Sequence, residues 1–296
     1  MRNAFAQAMI QLAAQPDRLF LTGDLGFMAL EGVRDAFGSR FINMGVAEQN
    51  MVGVAAGLAR QGFQVFAYSI APFCYARPFE QIRNDLCLSH LPVCLVGNGG
   101  GYAYGYMGPT HHALEDCAAM QALGVRVLAP AFDSDLPAQI AHIDAPTYLR
   151  LGLEIRPDVL PAPAYAPWRR LLEGQRGVVI ALGPLAGLAW SALRDRPAAE
   201  RPAVWAACEF DLATLPPTLC QAIHGQPLFI LEEHVAAGGL GTTLALHLLK
   251  LGCHPSHVGH RTALGYPDGR FGSQAFHRAQ CGLDAAGLDA LIQEAP

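Results

Sequence analysis

Charged residues are scarce in this 296-residue chain. Asp, Glu, Lys and Arg make up 15% of it, against 52% for the hydrophobic set. That balance excludes a disordered chain. It leaves enough apolar material for two compact domains and a surface that a partner covers. Net charge is −5 with no long run of one sign, which argues against nucleic acid or an anionic membrane as a partner. No apolar run approaches the roughly 20 residues that a membrane-spanning helix needs. Met1 to Leu12 reads as an amphipathic helix without the continuous apolar stretch of a secretory leader, so a cytoplasmic location is expected. The eight cysteines stand singly, with no C-x-x-C pair, and read as buried free thiols in a reducing compartment. Repeats and low-complexity segments are missing as well.

What is present is an alternation of short apolar runs with longer helical patterns. Strands are predicted at 18–22, 40–44, 64–68, 92–96, 125–129 and 147–151. Helices are predicted at 47–60, 76–88, 113–123 and 134–142. The pattern repeats from Gly177 to Leu182, through 203–207 and 228–231, to a helix at 240–251. The fold class is therefore α/β, with two domains that are each a mostly parallel sheet flanked by helices. Pro157, Pro161, Pro163 and Pro167 mark a linker. The expected division is 1–155, a proline-rich linker at 156–175, and 176–296. Functional groups in such sheets gather beyond the carboxyl ends of the strands.

Four segments carry chemical potential. In Arg40-Phe-Ile-Asn-Met-Gly-Val-Ala-Glu-Gln-Asn50, Glu48 opens a helix whose next turns are apolar (Met51, Val52, Val54, Ala55). Such surroundings favour a carboxyl that shares a proton, although an ordinary first-turn acid fits too. Phe73, with Ile70 and Tyr75 as neighbours, could line an aromatic slot or simply pack in a core. His111 and His112 follow Gly108-Pro-Thr, where histidine suits proton transfer or hydroxyl binding. Neither has a third ligand at metal-site spacing, so no metal is assigned to this chain. Glu232-Glu233-His234 precedes Gly238-Gly-Leu-Gly241. That helix start could hold an anion, but a full G-x-G-x-x-G is lacking and a structural role is expected.

The 40–50 segment resembles the signature of the pyrimidine-binding domain of transketolase-like, thiamine-diphosphate-dependent enzymes. The resemblance continues through Phe73, Arg77, Phe79-Glu-Gln-Ile-Arg83, Gly108-Pro-Thr-His111 and 231–241, in the family's order. It implies that Glu48 hydrogen-bonds the cofactor's aminopyrimidine ring and favours its reactive tautomer. It further implies that Phe73 stacks on the ring, with Ile70, Tyr75 and Arg77 around it. His111 would contact substrate hydroxyls, and His112 stands where relatives often have Gln. Arg2 and Arg150 match positions that hold a sugar phosphate, a task suited to guanidinium. Phosphate recognition is nevertheless in doubt. Gly26-Phe27-Met28 stands where relatives offer a serine, and the loop from Asn98 to Met107 differs, its Gly99–Tyr106 stretch bringing Tyr102, Tyr104 and Tyr106 as extra stacking surface.

The resemblance also shows an omission. The family's diphosphate domain carries Gly-Asp-Gly with a later Asn, which hold Mg²⁺. Here only Gly23-Asp24-Leu25 is found, and Asn50 lies inside the Glu48 motif, so the spacing reads as coincidence. The implied protein is the carboxy-terminal subunit of a split transketolase. Its partner would be an amino-terminal subunit supplying the Mg²⁺ and diphosphate site, so that thiamine diphosphate is shared. Two copies of this chain would pair within a two-plus-two heterotetramer that acts on sugars. Alternatives are the β subunit of a 2-oxoacid dehydrogenase E1 and a non-catalytic assembly or regulatory subunit. Deoxyxylulose-phosphate synthase fits less well, being normally one continuous chain.

Overall fold

Alternate residues of the first strands are apolar on both faces, and both faces are covered. In the computed structural model, which describes residues 1–26, 28–157, 159–160 and 163–295, β1 (Arg18–Thr22) sends Leu19 and Leu21 into one core and Phe20 into another. β2 (Phe41–Asn43), β3 (Gln64–Ile70), β4 (Val93–Asn98), β5 (Arg126–Leu128) and β6 (Thr147–Leu151) complete a six-stranded sheet. Its order is β2-β1-β3-β4-β6-β5, and every pairing is parallel. Phe27 and Pro161, named above, lie outside the described residues.

The second sheet contains β7 (Trp168–Leu172), β8 (Val178–Leu182), β9 (Ala203–Ala207), β10 (Pro227–Leu231) and β11 (His257–Arg261). Its order is β11-β10-β8-β9-β7, with only β7 antiparallel. β7 corrects the linker reading, because part of the 156–175 stretch is an edge strand. Trp168 anchors it, buried, with its indole N–H donating to the Asp211 carbonyl at 3.1 Å. Arg169, one residue on, is bound by Asp135 at 2.6 Å. The two sheets are tied along an edge: Ala129 N–H donates to Cys208 O, and Phe210 N–H to Val127 O. These bonds cover the exposed side of β5.

A single helix over 76–88 does not form. The chain instead makes Ala71–Tyr75, a short turn Phe79–Gln81 and a π-helical turn Ile82–Cys87. Pro78 explains the break, since it lacks an N–H and its ring would clash with the previous turn. All eight thiols are free, six of them buried, and burial pushes Cys208 up to about 12. Among the described residues no helix is long and apolar enough to cross a membrane.

Candidate active site

Glu48 is the first residue of the helix Glu48–Arg60, whose buried stripe is Glu48, Met51, Val52, Ala55, Ala56 and Ala59. The spacing of three and four puts the acid on the core-facing side. Gly45, at φ 69°, makes the turn that delivers it there from β2. Glu48 is only 4% exposed. Its Oε1 accepts from Arg77 Nη1 at 2.8 Å and from Ser69 Oγ at 3.4 Å. Oε2 has no hydrogen-bond partner among the described residues. A buried carboxylate is thus neutralised by one guanidinium while keeping one oxygen for a ligand.

Arg77 also lies over the half-buried ring of Phe73, its guanidinium carbon 3.7 Å from the ring centre. Ile70, half-buried, ends β3 just before the Phe73 helix. Phe73 also meets His111 edge-on, with ring centres 5.2 Å apart, and His111 in turn meets Tyr104 at 5.7 Å. The Thr110 hydroxyl is 2.8 Å from His111 Nδ1. So Glu48, Arg77, Phe73 and His111 are linked pair by pair beyond the carboxyl ends of β2, β3 and β4.

Several expected site residues lie elsewhere. Tyr75 does not reach the slot. It is buried, with its ring edge-on to Tyr148 at 6.4 Å, because the short helix turns it inward. His112 has a partner within the fold at each ring nitrogen. Its Nε2 faces the Gly105 carbonyl at 2.8 Å and so carries the proton, while Nδ1 lies 2.7 Å from the Tyr266 hydroxyl. Burial holds its pKa below the ordinary histidine value. Tyr102 offers no stacking surface, being fully buried with its ring on His277 at 4.5 Å.

Arg150, in β6, is already bound within the fold through Nε and Nη2. Asp116 accepts from its Nε at 2.7 Å, and the Ala113 and Glu233 carbonyls each accept from Nη2 at 2.9 Å. Gly100 packs so closely that a Cβ would lie 2.7 Å from Arg150 Cγ. Arg2 is exposed and lines a cavity of about 370 Å³ with Asn98, Tyr104, Asp133 and Leu153.

The acidic pair after β10 is built into the fold. Glu232 accepts from the N–H groups of Leu240 (2.7 Å) and Gly241 (2.9 Å) and faces His260 Nε2 at 2.7 Å. The glycine-rich helix start therefore binds an anion, its own Glu232. Glu233 crosses to the first domain, accepting from Tyr102 N–H at 2.6 Å, and within its own domain it accepts from Gln274 Nε2 at 2.9 Å and from Arg278 Nε at 2.7 Å. This grip on the loop that carries His111 was missed from sequence; adjacent acids ending a strand were its only signal. Asp116, Cys117 and His234 cluster closely enough for a cation. Arg150 and Tyr148 both occupy Asp116 Oδ2, its buried Oδ1 has no partner among the described residues, and His234 Nε2 accepts from Ala118 N–H at 3.2 Å. Asp24 accepts from Asn43 at 2.7 Å, while Asn50 is exposed on its helix.

The two parallel-dominated sheets and the linked residues at their carboxyl ends define a thiamine-diphosphate-enzyme fold. Residues 1–152 match the family described as transketolase, pyrimidine binding domain, and the chain belongs to the transketolase family. It is 30% identical to an apulose-4-phosphate transketolase subunit of Phocaeicola vulgatus, over 97% of this chain and 94% of that one. It is also 30% identical to a putative transketolase C-terminal section of Methanocaldococcus jannaschii, over 83% of this chain and 80% of the relative. A 1-deoxy-D-xylulose-5-phosphate synthase of Geobacter metallireducens is 30% identical over 98% of this chain, which spans only 48% of that enzyme. Among solved structures, one described as a split gene transketolase, inactive beta4 tetramer, superposes with a TM-score of 0.80 at 29% identity. That match covers 99% of this chain and 97% of the other.

Proposed function

We propose that this chain is the carboxy-terminal subunit of a two-component transketolase, with the Mg²⁺ and diphosphate site on a separate amino-terminal subunit. The assembled enzyme moves a two-carbon ketol unit from a ketose to an aldehyde. One observation carries the reading: buried Glu48 keeps Oε2 unpaired, and the Arg77 that holds its Oε1 lies over the Phe73 ring. The residues fit an aminopyrimidine, which needs a carboxyl that donates to its ring nitrogen at one edge and an aromatic wall on one face. When bound, thiamine diphosphate supplies a nucleophilic carbon and takes up the electron pair of the broken C–C bond.

Glu48 holds a proton against the ring at Oε2, while Arg77 keeps the carboxylate from rotating away. Phe73 fixes the ring plane and excludes water. His111, held at Nδ1 by Thr110, presents Nε2 to donor hydroxyls. The sequence has no Gly-Asp-Gly with a following Asn, which supports a second polypeptide as the source of the metal ligands. The relative described as an inactive β4 tetramer supports the same division.

The test is reconstitution with the partner, thiamine diphosphate and Mg²⁺. Alone, the chain gives no ketol transfer; together they transfer a ketol unit from hydroxypyruvate or a ketose phosphate to an aldehyde. Robust activity of the isolated chain overturns the split. Lipoyl acylation from a 2-oxoacid in place of ketol transfer assigns the complex to the E1 class.

A further inference from the structure

We infer that Tyr104 is a specificity-determining residue, whose hydroxyl donates to an oxygen of the sugar chain beyond the carbons that react. The inference rests on the transketolase reading above and names a group that the reading does not use. Tyr104 belongs to the loop between β4 and Gly108, and it is set at a junction. One side of its ring meets His111 at 5.7 Å. Tyr104 also lines the 370 Å³ cavity that contains Arg2, Asn98 and Asp133. The ring contacts from Phe73 through His111 to Tyr104 therefore lead from the Glu48 slot into that cavity.

The ring cannot swing freely. A Cβ on Gly99 would lie 2.1 Å from Tyr104 Cε2, so the backbone passes directly against the ring. Gly99, at φ 87°, makes that approach possible. The hydroxyl is aimed as well. With the Asn98 amide oriented to donate, Nδ2 gives a hydrogen bond to Tyr104 Oη at 2.8 Å. That bond uses an acceptor lone pair, and the phenolic O–H has no acceptor among the described residues. Its proton is available to a ligand in the cavity.

Charge narrows the ligand. Arg2 makes no ion pair among the described residues, whereas Arg150, the other expected anion ligand, is bound to Asp116. The cavity thus offers the Arg2 guanidinium, while its Asp133 carboxylate is paired with the Met1 ammonium at 3.1 Å and Asn98 and Tyr104 add neutral polar groups. A site with a single free cation needs a neutral donor to hold a sugar's distal oxygens. The chemistry is an acceptor oxygen on a polyhydroxylated chain, either a hydroxyl or one oxygen of a phosphate.

The test uses the complex with its partner and compares Tyr104→Phe with Tyr106→Phe, the same change at an exposed neighbour on the loop. For Tyr104→Phe the sugar KM rises roughly tenfold while kcat stays near wild type, the pattern of a lost hydrogen bond made equally before and during reaction. Tyr106→Phe changes neither. Running each variant with one sugar in phosphorylated and unphosphorylated forms identifies the oxygen. A rise confined to the phosphorylated form assigns phosphate, and an equal rise assigns a hydroxyl. An unchanged KM for Tyr104→Phe with both forms, in a complex whose wild type transfers ketol units, overturns the inference. A wild-type complex without transfer overturns instead the reading beneath it.

Discussion

Glu48 and Glu232 hold equivalent places in the two sheets, each following a parallel strand and meeting the amino end of a helix. Both are buried. Glu232 is saturated: two backbone N–H groups and His260 occupy its oxygens. Glu48 has one oxygen engaged and the other open. Burial of an acid therefore does not separate fold from chemistry. The number of acceptor positions that the protein leaves unfilled does. Glu232 replaces a ligand, whereas Glu48 leaves room for one.

The contrast is sharpest at the acids themselves. In the assembled complex Glu48→Ala should lower ketol transfer by roughly 10²–10⁴-fold, the usual worth of a positioned acid-base group, while assembly measured by gel filtration is kept. Glu232→Ala should instead lower the melting temperature and leave the activity of the folded fraction intact. An unchanged rate for Glu48→Ala, or an inactive but fully folded Glu232→Ala, breaks the distinction. Glu233→Ala should cost about 3–5 kcal/mol in denaturant unfolding, because Arg278 is left buried without its counter-charge. Tyr266→Phe, which removes one neutral hydrogen bond from His112, should cost about 1 kcal/mol.

The smallest effect concerns pH. Burial lowers the pKa of both His112 and His277 from the ordinary histidine value of 6.5. The unfolded chain then binds protons before the folded one does. Stability from this pair is complete above the unfolded value and declines as pH falls below it. Chemical unfolding midpoints should fall in that window, and less so in a His112→Gln variant. Equal slopes for the two proteins would remove the histidines from the account.

Much of the frame was legible from sequence. β1 and β6 match their predicted limits, because strands covered on both faces are continuous apolar runs. β11, His-Val-Gly-His-Arg, was not found: it is a polar edge strand with no such run. β7 was hidden by the prolines before it. The acid, the aromatic ring and His111 were legible as local motifs, and the structure links them pair by pair through Arg77. The partners of Arg150, His112 and Tyr102 were not legible because they are remote in sequence. Asp116 lies 34 residues from Arg150, Tyr266 is 154 from His112, and Glu233 is 131 from Tyr102. Local patterns show which residue could act, but not which distant group has already claimed it.

The grip of Glu233 on Tyr102 has a consequence for how this chain can be divided. A cut between β6 and β7 would free the amino-terminal fragment from the carboxylate and from Tyr266, two of the tethers that hold its histidine-bearing loop. Such a fragment would keep Glu48 and Phe73 yet lose the scaffold beneath His111. A gene broken at that seam would leave the His111 loop without the acid and the phenol that brace it from the second sheet.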